Sequence, residues 1–255
     1  MEYIVKTYTE HEAIREHNFN MARAAWPEFM LHDAVAGEFF SELFDSFPDY
    51  QFGLFDKKTD EILALANCIP FFWDKPFSEL PEEGWDWVLK QGVLDHKNKV
   101  HPNIASAIQI MILPGSRGKG ISPLAVREMT KIVAQKGLTH LVAPVRPNMK
   151  HLYPLLSIDD YITWRDENDD PYDSWLRVHY KLGAQFIKPC HQAMIIEGTV
   201  DEWEEWTDML LLQSGKYTIP GALEPVEIDI DKNLGRYVEP NVWMVHTIKD
   251  VFTDD

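Results

Sequence analysis

Between Ile108 and Ser122 the chain reads Ile-Gln-Ile-Met-Ile-Leu-Pro-Gly-Ser-Arg-Gly-Lys-Gly-Ile-Ser, an apolar strand that turns through glycines into the start of a helix. This order admits few folds. Glycines allow the backbone to turn tightly and to approach a ligand without an intervening Cβ, and the first amides of the helix have no internal partner. Such a turn is suited to an anion, and to phosphate in particular. The spacing excludes two common phosphate loops. A P-loop needs glycine five places before Gly118, where Leu113 stands, and a hydroxyl after Lys119, where Gly120 stands. The dinucleotide fingerprint fails because Gly118-x-Gly120 is followed at the required third position by Pro123.

The frame that fits is Arg-x-x-Gly-x-small, read as Arg117, Gly120 and Ser122, after an apolar strand ending in Leu-Pro. It resembles the coenzyme A pyrophosphate loop of the GNAT acetyltransferase superfamily. The stretch Trp175-Leu-Arg-Val-His-Tyr-Lys-Leu-Gly183 is similar to that family's second signature, with Ala184 in place of the usual aromatic residue. Together the signatures cover roughly residues 106 to 190. The resemblance implies an α/β (α+β) fold, with a mixed, mostly antiparallel central sheet flanked by helices. It also implies acetyl-CoA, or coenzyme A, as the cofactor. Arg117, Gly118, Lys119, Gly120, Ile121 and Ser122 would hold it, together with the strand-end positions Ile112 and Leu113. In that family a backbone N–H on the strand before the loop polarises the acyl carbonyl, and the matching positions are Ile112 and Leu113. The amine then attacks directly in a ternary complex. His179 falls where the family often places its catalytic tyrosine, and Tyr180 competes for the role if the helix register differs by one.

Local signals extend the same order. Tyr3 to Thr9 alternates as a strand, Glu10 to about Phe29 and Ala34 to Phe47 carry helical spacing, and Gln51–Phe55 with Ile62–Pro70 read as a hairpin across Asp56-Lys-Lys-Thr-Asp60. Pro123 to Lys136 reads as the helix after the loop, with Leu124, Met129, Ile132 and Val133 on its apolar stripe. His140 to Val145 is the next strand. Two inserts interrupt the pattern, at about 71–103, with a helix over Glu82–Leu94, and at 149–173, which is acidic. Thr199-Val-Asp-Glu202 is a capping box opening a helix with Trp203, Trp206 and Leu210 on one face. The expected organisation is an acyltransferase domain over 1–198, with 199–255 as a C-terminal extension packed on it.

Composition limits the partners. With 45% hydrophobic residues, nine Trp and thirteen Phe among 255 residues, the chain is globular. A formal net charge of −17 opposes nucleic acid and anionic membrane surfaces. The longest apolar run, Ile62 to Trp73, contains Asn67 and is too short to span a bilayer. No signal peptide is visible, and Cys68 and Cys190 show no metal or redox spacing, so a reducing cytoplasm is the expected compartment. Oligomeric state is left open, a dimer included.

Several other residues invite chemistry. His11-Glu12 begins a zincin-like pair, but Arg15 occupies the second histidine position, so no metal is expected. Cys190 and His191 are neighbours that a strand points to opposite faces. Trp73, Trp85 and Trp87 could wall an acceptor pocket or simply pack the core. Three functions follow in order of preference. The first is N-acetyl or short acyl transfer from coenzyme A to a small-molecule amine. The second is transfer to a carrier-protein thiol, where GNAT-like domains use a histidine in this helix. Those domains pair that histidine with a threonine on the preceding strand, where this chain has only Leu141, Val142 and Val145. The third is a non-catalytic acyl-CoA-binding module.

Overall fold

The computed structural model describes residues 2–248. Its strands are β1 (Tyr3–Thr7), β2 (Gln51–Asp56), β3 (Ile62–Phe71), β4 (Ile104–Ile112), β5 (His140–Val145), β6 (Gln185–Gly198), β7 (Gly215–Tyr217), β8 (Val226–Asp229) and β9 (Leu234–Thr247). The helices are α1 (Ala13–Ala25), α2 (Ala34–Phe39), α3 (Glu42–Ser46), α4 (Gly84–Lys97), α5 (Ile121–Gln135), α6 (Ile158–Tyr161), α7 (Ser174–Lys181) and α8 (Val200–Thr207). All strands join one sheet, and β4 with β5 is its parallel pair.

Each face of the sheet is covered by helices. On one face, Ile14, Leu43, Phe44, Val88, Leu89 and Val93 from α1, α3 and α4 pack against Leu65, Ile69, Ile104, Ile108 and Trp243. On the other, Ile121, Ala125, Met129, Ile132 and Val133 of α5 cover Phe52, Leu54, Ala64, Ala66 and Ala105. Met129, Ile132 and Val133 are the buried stripe that periodicity anticipates, and Leu124 is half-buried at its margin. Burying each such side chain contributes about 1.5–3 kcal/mol. Beside α5 on the same face, Leu176 of α7 packs with Ala143 and Val145 of β5 and Val242 and Met244 of β9.

The helix expected over 10–29 ends at Ala25, because the residue before Pro27 is held extended, and a 3-10 turn over Glu28–His32 follows. The one expected over 34–47 is broken into α2 and α3 at Phe40–Ser41. The Thr199/Glu202 capping box forms, but α8 stops at Thr207 where Asp208 turns left-handed, so Leu210 is exposed rather than on the apolar face.

The segment after residue 198, expected to pack on the same domain, contributes β9 to the sheet. Leu234–Thr247 pairs on one side with β5 and then β8, and on the other with β6 along its length. Its apolar run Val242-Trp-Met-Val245 is buried on both faces, as an interior strand requires. The final residues, 249–255, lie outside the described residues.

Candidate active site

β4 and β5 pair only at Ala105–Leu141 and Ser106–Val142, although β4 continues to Ile112 and β5 to Val145. Beyond Ser106 the two strands diverge, and the opening leads to the glycine turn. The register with β3 fixes which backbone groups face it. Leu113 N–H donates to the Leu63 carbonyl at 3.1 Å. Ala64–Ile112, Leu65–Met111, Ala66–Ile110 and Asn67–Gln109 follow in turn. Bonded and non-bonded pairs alternate across antiparallel strands. Gln109 and Met111 therefore bond to β3, while the N–H and C=O groups of Ile110 and Ile112 point into the opening. Of the two expected donors, Ile112 has its N–H in the gap. The N–H of Leu113, the other, is committed by the ladder to the Leu63 carbonyl. Ile108 is the extra residue of a bulge, and its carbonyl accepts from the indole of Trp85 at 2.8 Å.

At the wide end of the gap, Pro114–Ser116 forms a 3-10 turn, and both Gly118 and Gly120 adopt a φ of 73°. That conformation disfavours any side chain, yet a Cβ placed at either glycine would meet no protein atom within 4 Å. The strain requirement is thus conformational, and the space in front of the loop is open. No side chain caps α5, no acidic residue lies in its first turn, and Pro123 removes one amide that would otherwise need a partner. The amides of Gly120, Ile121 and Ser122 remain as donors, flanked by exposed Arg117 and Lys119.

His179 lies in the last turn of α7 and faces β9. Its Nδ1 is 2.9 Å from Nε2 of His246, which stands opposite Leu141 at the closed end of the gap. Trp175, one turn earlier, meets the imidazole edge-on at 4.8 Å. Both histidines are buried, at 2% and 4% exposure. Burial, followed by repulsion from His246, pushes His179 down to about 3, and burial pushes His246 down to about 4. At neutral pH the two rings are uncharged and one proton bridges them. Tyr180 points away from this pair and is 50% exposed.

The Cys190–His191 pair is taken apart by the strand. Cys190 is buried with its thiol pushed up by desolvation, whereas His191 is exposed between Glu82 and Asp159 at 2.8 and 2.9 Å. Trp73 and Trp87 pack together in the core, leaving Trp85 as the tryptophan beside the gap. In the acidic insert, Asp173 is buried and caps α7 through the amides of Trp175 and Leu176, and Asp166 and Asp170 pair with Arg177 and Lys181. Among the described residues no three His, Cys, Asp or Glu side chains converge closely enough to hold a metal ion.

No protein-family profile matches the chain. It is similar to an arginine N-acetyltransferase, avaD, of Aspergillus versicolor, with 31% identity over 249 residues that cover 88% of this chain and 85% of that one. The chain belongs to the GNAT N-acetyltransferase family. Its fold is similar to the loading GNATL domain of CurA from Lyngbya majuscula, with a TM-score of 0.63, 16% identity and coverage of 97% and 98% of the two chains. It is also similar to the GphF GNAT-like decarboxylase solved with isobutyryl-CoA, with a TM-score of 0.56, 11% identity and coverage of 98% and 100%. At these identities the two structures establish the fold, in which a mostly antiparallel sheet carries one diverging parallel pair.

Sequence reasoning missed His246, Ile110 and three carboxylates, the buried Asp33 and Glu239 and the half-buried Asp86. His246 is 67 residues from its partner, and no local pattern links them. Ile110 is legible only once the ladder parity is known. The carboxylates come from α2's cap, α4's first turn and β9, and their only sequence signal is charge inside otherwise apolar surroundings.

Proposed function

We propose that this GNAT-family protein transfers an acetyl group from acetyl-CoA to a small-molecule amine, directly and within a ternary complex. The observation that carries this reading is the opening between β4 and β5, with the amide groups of Ile110 and Ile112 turned into it in front of a glycine turn. Gly118, Lys119, Gly120, Ile121 and Ser122 would receive the diphosphate through backbone N–H groups, with Arg117 adding charge. Acetyl-CoA supplies the activated acyl thioester. A backbone N–H of Ile110 or Ile112 would stabilise the negative charge that develops on the thioester carbonyl oxygen. His179, held by His246, would present a neutral Nε2–H toward the leaving sulfur, with Tyr180 as the other donor on α7. The name of the Aspergillus relative favours a basic amino acid as the amine.

The test combines calorimetric binding of acetyl-CoA with thiol release across a panel of amines and one acyl carrier protein, the products being identified by mass. Gly120→Val should weaken acetyl-CoA binding at least tenfold. His179→Ala should preserve that affinity and lower kcat at least tenfold, and Tyr180→Phe should lower it less. Binding without turnover on any amine would overturn the transferase reading, and turnover on the carrier protein alone would move the acceptor to its thiol.

A further inference from the structure

On the α1–α4 face of the sheet, three carboxylates from distant parts of the chain meet beside the gap. Asp33 caps α2 through the Ala36 amide at 2.6 Å. Asp86 in the first turn of α4 accepts from the Ile195 amide at 3.1 Å. Glu239 on β9 accepts from Arg146 Nε at 2.8 Å and from the Tyr237 hydroxyl at 2.9 Å. Each of these bonds uses one oxygen. The second oxygen of each, Asp33 Oδ2, Asp86 Oδ1 and Glu239 Oε1, is buried without a hydrogen-bond partner among the described residues, and so is Asn241 Oδ1. Asn241 is 1% exposed, and its Nδ2 is directed at the Pro144 carbonyl at 3.3 Å.

Four buried acceptors without donors are costly in a folded protein. The proton count only partly answers this. Burial and repulsion from Asp33 and Glu239 push Asp86 up to about 8, and its carboxyl lies within hydrogen-bonding contact of Asp33, so the pair shares a proton near neutral pH. Glu239 Oε1 and Asn241 Oδ1 are left over. Among the described residues the one cation bonded to the group is Arg146, which also donates to the Gly221 carbonyl. The carboxylates do not converge on a point as metal ligands do. Separated acceptors, rather than a convergent set, suit a guanidinium, with its five N–H donors in a fork.

The cluster is at the right height in the sheet. With the Ile108 bulge counted, the β4–β5 register continued from Ser106–Val142 places Val145 level with Ile110 and Arg146 level with Met111. The β5–β9 register, continued from Val145–Val242, places Asn241 level with Arg146 and Glu239 two residues further. Asn241 and Glu239 therefore lie across the opening from the end of β4 around Ile112, and Asp33 and Asp86 adjoin Glu239. Asp86 is next to Trp85, whose indole holds the Ile108 carbonyl. Asp86 is also the one carboxylate of the three that solvent partly reaches.

We propose that Asp33, Asp86, Glu239 and Asn241 form a subsite for the cationic end of the acceptor, a guanidinium, while its amine is presented to the gap. This rests on the amine-transfer reading above. Together the groups select a dibasic acceptor, whose guanidinium displaces to solvent the proton that Asp33 and Asp86 share.

The test uses the unmodified protein saturated with coenzyme A and titrated calorimetrically at pH 7.5 with L-arginine and with L-citrulline, its uncharged counterpart of similar shape. Arginine should bind at least tenfold more tightly than citrulline. Its binding heat should vary between buffers of different ionisation enthalpy, reporting up to one proton released. Asp86→Asn should weaken arginine at least tenfold and leave coenzyme A affinity unchanged. Glu239→Gln, which also disturbs Arg146, is read only with its unfolding curve beside it. Equal binding of arginine and citrulline, or neither binding while neutral arylamines are acetylated, would overturn the subsite and leave the transferase standing. Failure of coenzyme A itself to bind would strike the transferase reading instead.

Discussion

The histidine pair shows how a residue's chemistry depends on what surrounds it. In an unfolded chain, imidazole takes a proton near pH 6.5, whereas the folded His179 and His246 resist protonation down to about 3 and 4. Below about pH 6.5 the unfolded state therefore binds more protons, and stability is lost as pH falls from there toward about 4. Asp86 acts in the opposite sense: its raised value means that the folded state keeps a proton, so its contribution is lost as pH rises toward about 8. Urea unfolding at several pH values between 7 and 5 separates the two. Replacing both rings by leucine, which removes both partners of the hydrogen bond together, should flatten the acid slope by up to about 1.4 kcal/mol per pH unit for each histidine. Identical slopes in the native and double-variant proteins would show that the pair is not held neutral. The identity of residue 179 was readable from its spacing to Lys181-Leu-Gly183. Its state was not, because that is set by Trp175 packing beside it and by a ring contributed from β9.

Among the elements, β9 carries the most consequence. From its sequence it is one of several β-rich runs between prolines, and nothing local distinguishes a strand laid on a sheet from one inside it. The distinction comes from pairing. β9 receives β5 and β8 on one edge and β6 on the other, and Trp243 and Val245 complete the core beneath α4. A chain ended at Gly198, which would have been self-sufficient had 199–255 been an appendage, is expected to lose cooperative unfolding. Removing β9 leaves β5 and β6 without their shared partner and exposes unpaired edges. A sharp thermal transition and a native near-ultraviolet spectrum in that truncation would contradict the expectation. By contrast, α5 was legible in detail, since its loop, its proline near the start and its 3.6-residue stripe are all local. The break between α2 and α3 was not, because helical spacing runs through Phe40 unbroken, and Phe40 and Ser41 themselves keep helical dihedrals.

The charge of the whole molecule adds a constraint that no single residue supplies. A net charge of −17 repels an anionic donor and attracts a cationic acceptor over a Debye length of about 10 Å at 0.1 M salt. Raising the ionic strength from about 20 to about 300 mM should thus lower kcat/KM for a cationic amine and raise it for acetyl-CoA. Steady-state kinetics with each substrate varied in turn would measure both, and parallel changes of the same sign would refute the steering.

By itself the sequence determined the glycine turn and its anion preference, the strand and helix before and after it, and the type of most other elements. Periodicity, capping and backbone restriction act within a few residues, so they are written locally. Only the tertiary structure decided that β4 and β5 diverge, that Leu113 is bonded away while Ile110 and Ile112 face the opening, that His179 meets His246, and that Asp33, Asp86 and Glu239 meet. Each of those depends on strand pairing and burial between segments far apart in the chain, and the register of such pairings is fixed by the packing of the whole core rather than by any one segment.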